Sequence, residues 1–199
     1  MNHLKTPRNG MFFHSTRQLL EKLNSDLFLI AEKMSDYPCE FDEFDYLVMA
    51  IEDRRYLNHR GVDIKSIVRE LIKMLSLERH GGASTIDMQM VRTITNYRTL
   101  SFKRKLYEIT LAILINFKFS KHQIMKCYMD NAFFGSNLIG VTAASKALHG
   151  KKLNDLSDFE KAQVAAMLLK PMPNHPTQEW KSAIHARATY AQAVRSLVK

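Results

Sequence analysis

Proton transfer and anion binding each need particular side chains brought together, and three groups in this 199-residue chain qualify. The first lies in MAIEDRRYLNHRGVD, residues 49–63. If that stretch is one helix, Glu52, Tyr56 and His59 share a face and present an acid to a groove. The second is Arg104, Lys105 and Glu108, at the head of the apolar run 110–117. An acid and two bases there are costly to bury unless they line a polar cleft. A pair within the helix would put the base before the acid, the less favourable order. The third is STIDMQ, residues 84–89, where Ser84 and Asp87 form a variant capping box at a helix N-terminus that can also receive an anion.

Helices must position these groups, and the chain reads as helices throughout. Residues 1–14 have no period, and Ser15 is placed to cap a helix from Thr16 to about Met34 with the stripe Leu19, Leu20, Leu23, Leu27 and Ile30. An acidic connection, 35–43, leads to the helix carrying Glu52. Gly61 breaks that helix, and Asp63 caps the next, in which Ile64, Ile67, Val68, Leu71, Ile72 and Leu75 recur at helical spacing. Residues 93–100 lack a clear period and read as a mobile connection. Ser101 opens a helix to about Phe119, apolar on nearly every side over 110–117 and expected to be the central core helix. Ser120 with Gln123 and Ser157 with Glu160 are capping boxes for helices near 121–130 and 158–169. Between them a small-residue helix ends at Gly150. Pro171, Pro173 and Pro176 stop the chain before a last helix from about Glu179 to Leu197. No segment alternates with period two, so the expected class is all-α.

The length suits one domain or two small lobes sharing a cleft. A formal net charge of +9 calls for an anionic partner, whether nucleic acid, acidic membrane surface or phosphorylated substrate. No helix gathers basic residues and aromatics along one face, which argues against nucleic acid. Cys39 and Cys127 are too few for a metal knuckle and read as reduced. No secretory signal is recognisable, and the longest apolar stretch, 109–119, is interrupted by Thr110, Asn116 and Lys118. The expectation is that this chain does not anchor itself by a transmembrane helix.

In order, these stretches bring a family into view. EDRRYLNHRGVD (52–63), GASTIDMQ (82–89), RKLYE (104–108), IMKCYMDN (124–131) and LSDFEKAQVA (156–165) resemble five motifs of the family 51 glycosyltransferases. These are the peptidoglycan transglycosylases, found as monofunctional enzymes and as the polymerase module of class A penicillin-binding proteins. The resemblance covers about residues 44–197. It implies a lysozyme-like, two-lobed all-α domain with a long cleft over 44–199, preceded by an N-terminal segment, 1–43, with an amphipathic helix. The chain departs from the motifs in several places. Asp87 and Met88 stand where the family usually has Thr-Gln, and Arg92 stands for a Lys. Lys126 stands for a Glu, Asp130 for an Asn, and Leu148 with His149 for a Tyr-Phe pair.

The resemblance further implies roles. Glu52 is the general base that deprotonates the acceptor sugar's 4-hydroxyl, which attacks the donor with inversion. Asp53 and His59 orient the first motif, although His59 is equally well read as a satisfied core histidine. Arg104, Lys105 and Arg92 hold the diphosphate, and Glu108 sits beside the leaving group, alone or through a divalent cation, Mg2+ or Mn2+. Ser84, Thr85 and Gln89 bind the donor, with capping the competing reading for Ser84. The implied partners are a lipid-linked disaccharide of lipid II type, the growing glycan chain, a membrane surface and cell-wall synthesis proteins. The implied place is the outer face of the cytoplasmic membrane, though nothing read in the chain exports it. Phe12, Phe13 and Leu27 with the net charge are candidates for reversible membrane attachment. Two acids around a sugar bond would also suit a lysozyme-like glycosidase. The Arg104 and Lys105 pair argues against it, since cleaving a neutral glycan needs no phosphate clamp. A catalytically silent module binding lipid-linked glycan or a cell-wall partner is the other alternative.

Overall fold

Short polar side chains satisfy the free amides at most helix starts of this chain. The computed structural model describes residues 9–34, 40–76, 82, 84–97 and 101–198, with side chains except those of 9–15, 71, 74 and 75. Its helices are α1 (Asn9–Lys33), α2 (Glu43–Glu52), α3 (Ile64–Leu75), α4 (Ile86–Thr95), α5 (Phe102–Lys118), α6 (Lys121–Asn131), α7 (Val141–His149), α8 (Asp158–Ala166) and α9 (Gln178–Val194). A small antiparallel hairpin, β1 (Phe133–Gly135) and β2 (Leu138–Ile139), joins α6 to α7. The class is all-α, as expected. Ser101, Ser120 and Ser157 cap α5, α6 and α8, the last two in reciprocal boxes with Gln123 and Glu160. Gly150 ends α7.

The core forms where α4 packs on α5 and α6, and where α8 packs on α9 and α2. Ile86, Met88, Met90 and Val91 of α4 meet Leu111, Ala112 and Ile115 of α5 and Ile124, Met125 and Tyr128 of α6, all buried. Ala162, Ala165, Ala188 and Ala191 give α8 and α9 small facing surfaces and are equally buried. The end of α2 that carries Glu52 is therefore set against α9 on one side and faces α4 on the other.

Several expectations are corrected. Helix α1 already runs from Asn9, upstream of Ser15. Among its described side chains the C-terminal half packs, against α4 and α5, so Ile30 is buried while Leu19 and Leu20 stay exposed. Residues 49–63 are not one helix. Helix α2 stops at Glu52, and Tyr56–Asn58 form a separate 3-10 turn. The cause is Asp53, whose carboxylate is drawn away to the start of α4 and to His59. Gly61 does interrupt the chain, with φ +89 beside the α5 backbone, where a Cβ would lie 2.3 Å from the Ala112 carbonyl oxygen.

Asp63 starts α3 as expected, accepting from the Lys65 amide at 3.0 Å and the Ser66 hydroxyl at 2.6 Å. The apolar stripe of α3, however, faces outward at Ile64, Val68 and Ile72, because this helix makes only marginal contact with any other element. Residues 93–95 belong to α4, which Asn96 ends in a left-handed conformation, and 98–100 lie outside the described residues. Helix α5 is buried on one side only, leaving Phe102, Leu106 and Phe117 exposed. Helix α8 ends at Ala166 rather than near 169. Cys127 is a free, buried thiol pushed up to about 11 by that burial, and Cys39 lies outside the described residues. No described helix is long and apolar enough to cross a membrane.

Candidate active site

The base of the site is a buried network that ties the chain after α2 to the N-terminus of α4. The Asp53 carboxylate accepts from the Ile86 amide at 3.2 Å and faces His59 Nε2 at 3.0 Å. A carboxylate suits a helix N-terminus, where amides lack partners and the dipole is positive. Thr85, not Ser84, is the N-cap of α4: its hydroxyl accepts from the Met88 amide and donates to the Gly61 carbonyl at 2.7 Å. Asp87, fully buried, accepts from Lys121 Nζ at 2.8 and 3.0 Å and from Asn116 at 2.8 Å. His59 Nδ1, 3.8 Å from Asp87, has no hydrogen-bond partner. Tyr56 is buried beside it and donates to the Lys121 carbonyl at 2.8 Å. His59 thus contacts Asp53 through Nε2, in keeping with an orienting role in the first motif, while the reading of a satisfied core histidine fails at Nδ1, which is buried and faces Asp87 without a hydrogen bond.

Above this base, one face of α4 holds both acids. Gln89 donates through Nε2 to Glu52 Oε2 at 3.0 Å and accepts through Oε1 from the Tyr128 hydroxyl at 2.6 Å, which fixes its amide orientation. Three residues on, Arg92 grips Glu108 with two hydrogen bonds of 2.9 and 3.2 Å. Glu52 Oε1 is buried with no partner. Burial pushes the Glu52 carboxyl above its ordinary range, opposed by the Gln89 hydrogen bond and the charge of Arg187 and aided by Asp53. An acid with a free oxygen and a raised proton affinity is suited to taking a proton.

Glu108, 1% exposed at its side chain, is surrounded by positive charge. Besides Arg92, Arg104 Nε lies 3.3 Å away and Lys105 Nζ 4.0 Å away. The Arg104 contact has ion-pair distance without hydrogen-bond geometry, so Arg92 is the firmer partner. Lys105 also donates to Ser84 Oγ at 2.9 Å. Burial draws the Lys105 ammonium below its ordinary range, Glu108 opposes this, and Arg92 and Arg104 add to it. Three cationic groups around one acid leave positive charge in excess, which is what an anionic ligand requires.

All ten expected site residues therefore belong to one connected region. Residues 28–195 match the family described as Transglycosylase. The chain belongs to the transglycosylase family. Among similar proteins, penicillin-binding protein 1A of Clostridium tetani is 30% identical over 185 residues, covering 90% of this chain and 22% of the relative. Penicillin-binding protein 1A of Rickettsia typhi is 34% identical over 146 residues, covering 71% and 18%. A Cupriavidus necator protein named for transglycosylase activity is 36% identical over 129 residues, covering 65% and 56%. The chain thus spans about a fifth of the penicillin-binding relatives and 56% of the shorter one.

For this transglycosylase domain, the residues present fit Glu108 acting alone better than the alternative of a divalent cation held there. Arg92 takes both carboxylate oxygens, and Arg104 and Lys105 supply further positive charge. Asp53, His59 and Asp87 place ligand-type atoms within 4.8 Å of one another, yet the Lys121 ammonium already lies on both oxygens of Asp87.

Tyr128, Lys121, Asn116, Arg187 and Tyr190 also border the site, although their sequence surroundings do not mark them for it. Tyr128 stands in the fourth motif without an assigned role, and the others carried no local signal. Their partners lie 29 to 136 residues away along the chain.

Proposed function

We propose that this domain polymerises a polyprenyl-diphosphate-linked disaccharide of lipid II type into glycan strands, inverting the anomeric centre and releasing polyprenyl diphosphate. Glu52 Oε1 takes the proton of the acceptor's 4-hydroxyl as that oxygen bonds to the donor's anomeric carbon. The bond from that carbon to the diphosphate breaks, and the leaving group's charge falls to Arg104, Lys105 and Arg92. Arg suits bidentate phosphate contact and Lys acts as a point charge. Glu108 holds these bases together.

The observation that carries the reading is the pairing on α4, where Gln89 holds the free-oxygen acid and Arg92 holds the cationic cluster. A base and an anion site on one helical face suit transfer from a diphosphate. A glycosidase would need a second working carboxyl, and both oxygens of Glu108 are occupied by Arg92. A cavity of about 380 Å3 borders Glu52, where Arg54, Arg55, Arg69 and Lys73 are balanced by Asp53, Asp63 and Glu70, and this mixed polar lining supports binding of a hydroxyl-rich sugar beside the base.

The substrate's lipid stays in a bilayer, so the domain must meet a membrane surface. Residues Ile64, Val68 and Ile72 form an exposed stripe on α3, with Lys65, Arg69 and Lys73 one position on along the same helix. An apolar stripe beside a cationic one supports lying in an anionic interface. Of the attachment residues read from sequence, Leu27 packs partly into the core, and the side chains of Phe12 and Phe13 lie outside the described residues. The stripe on α3 takes that role.

The test is gel analysis of glycan formed from purified lipid II. Glu52→Gln keeps the shape and loses the base, so polymerisation falls by about 100-fold or more while the thermal midpoint stays within a few degrees. Near wild-type polymerisation by that variant sinks the assignment.

A further inference from the structure

Glu52 is the last residue of α2, where helix carbonyls lack donors and the dipole is negative. A carboxylate is disfavoured at such an end. The chain answers with two arginines. Arg54 Nε donates to the Ala50 carbonyl at 3.1 Å, and Arg187 Nη2, from α9, donates to the Ile51 carbonyl at 3.1 Å. Tyr190, one turn beyond Arg187, lies against both guanidiniums, with centroid distances of 5.6 Å to Arg54 and 5.5 Å to Arg187, and accepts a hydrogen bond from Arg54. Arg187 Nε is buried without a partner. That charge is kept for more than its hydrogen bonds.

We propose that Arg187 is a positioning residue for Glu52, clamping the last turn of α2 through the Ile51 carbonyl and setting a fixed positive charge beside the carboxyl. The inference deepens the proposed transferase reading and rests on it for its catalytic meaning. Other groups also face Glu52: Asp53 follows it, Gln89 bonds it from α4, and Tyr128 of α6 stands nearby under the influence of Arg92. Asp53 and burial favour the protonated acid, while Gln89 and Arg187 favour the carboxylate. Among these, Arg187 is the full positive charge opposing burial. Tyr190 holds it in place, since its ring lies against the guanidinium of Arg187 and is itself tied to Arg54.

The experiment is a 13C titration of the Glu52 carboxyl in the full chain, assigned by loss of its signal in Glu52→Gln. Arg187→Gln keeps a donor for the Ile51 carbonyl and removes the charge. Its Glu52 midpoint should rise by about one unit, a tenfold gain in proton affinity, whereas Arg187→Lys should shift it by about 0.3 unit or less. The acid limb of the polymerisation rate should move upward with the midpoint, with KM little changed. A midpoint unmoved in Arg187→Gln, or moved equally in Arg187→Lys, overturns the proposal and leaves Arg187 as a fastening between helices. Should Arg187→Gln not fold, Tyr190→Leu removes a side chain that is 42% exposed and must raise the same midpoint, and an unchanged value there also overturns it. The titration needs no turnover. A chain that makes no glycan but shows the shift removes the proposed function and keeps the Arg187 effect on Glu52.

Discussion

Replacing Gln89 by Met keeps an unbranched side chain of similar length and removes both hydrogen bonds at the centre of the site. Glu52 then has no donor on either oxygen, because Oε1 is already unpartnered, and the Tyr128 hydroxyl loses its acceptor. A hydrogen bond to a charged group contributes about 1.5 to 3 kcal/mol. The bond is a single one from a neutral amide, so the lower figure applies, equivalent to about one pKa unit. Burial already holds this acid above its ordinary value of 4.5 in the folded chain. The stability associated with it is full below that value and declines as pH rises through the folded one; the variant extends the decline by about 1.4 kcal/mol. The assay is the initial rate of lipid II consumption at saturating substrate across pH, beside thermal melts at the same pH values. The acid limb should move upward by about one unit, giving a tenfold slower reaction on that limb and a nearly unchanged plateau. A plateau that falls while the limb stays in place would instead mean that Gln89 contacts substrate and does not hold the base.

Other outcomes follow from the same contacts. Lys105→Ala removes the tie to Ser84 and one of three positive charges, so a diphosphate-lipid donor should bind about tenfold more weakly, with little change for a neutral glycan of the same length; competition binding with both ligands checks this, and equal losses would favour a neutral glycan cleft. Changing Ile64, Val68 and Ile72 together to Ser should largely abolish sedimentation with anionic vesicles at low salt while sparing the melting temperature, since these side chains are exposed. The residual charge attraction should fade above roughly 0.1 M salt, where the screening length is about 10 Å. Lys126→Glu puts a third carboxylate beside Asp42 and Asp45, which Lys126 now holds at 2.7 and 3.1 Å. A loss of about 3 kcal/mol is expected near neutral pH by denaturant melts. It should shrink as pH falls, because Asp45, raised by burial, takes a proton first.

The helices were legible because their starts are written in adjacent residues. Ser120 with Gln123 and Ser157 with Glu160 need only three intervening bonds of chain to declare a cap. The site residues were legible in type and order for a similar reason: five motifs in sequence. What failed was the inference from spacing to face. Glu52, Tyr56 and His59 have helical spacing, yet Asp53 bonds to Ile86, 33 residues on, and that contact ends the helix. On α3, Ile64, Val68 and Ile72 keep the period of a buried face and lie in the open, since periodicity reports a preference for an apolar environment and not which environment is supplied. Arg187 and Tyr190 were invisible because nothing near them in the chain signals the end of α2.

The departures from the family motifs divide by where they point. Asp87 and Met88 are fully buried, so they face the interior and not a sugar. An unpaired carboxylate at Asp87 would carry a large burial cost, and Lys121 with Asn116 meets it from two directions. The change thus belongs to a coordinated set inside the protein. Lys126 likewise turns to Asp42 and Asp45 at the start of α2. Arg92 is the one departure in the cationic cluster, and it keeps the charge while gaining a second hydrogen bond to Glu108. Glu52, Ser84, Gln89, Arg104 and Lys105 all follow the motif. The changes at Asp87, Met88 and Lys126 therefore fall in contacts within the protein, whereas Glu52, Arg104 and Lys105, to which we assign the proton and the anion, follow the motif, and Arg92 is the proposed anion-binding group that differs while keeping its charge.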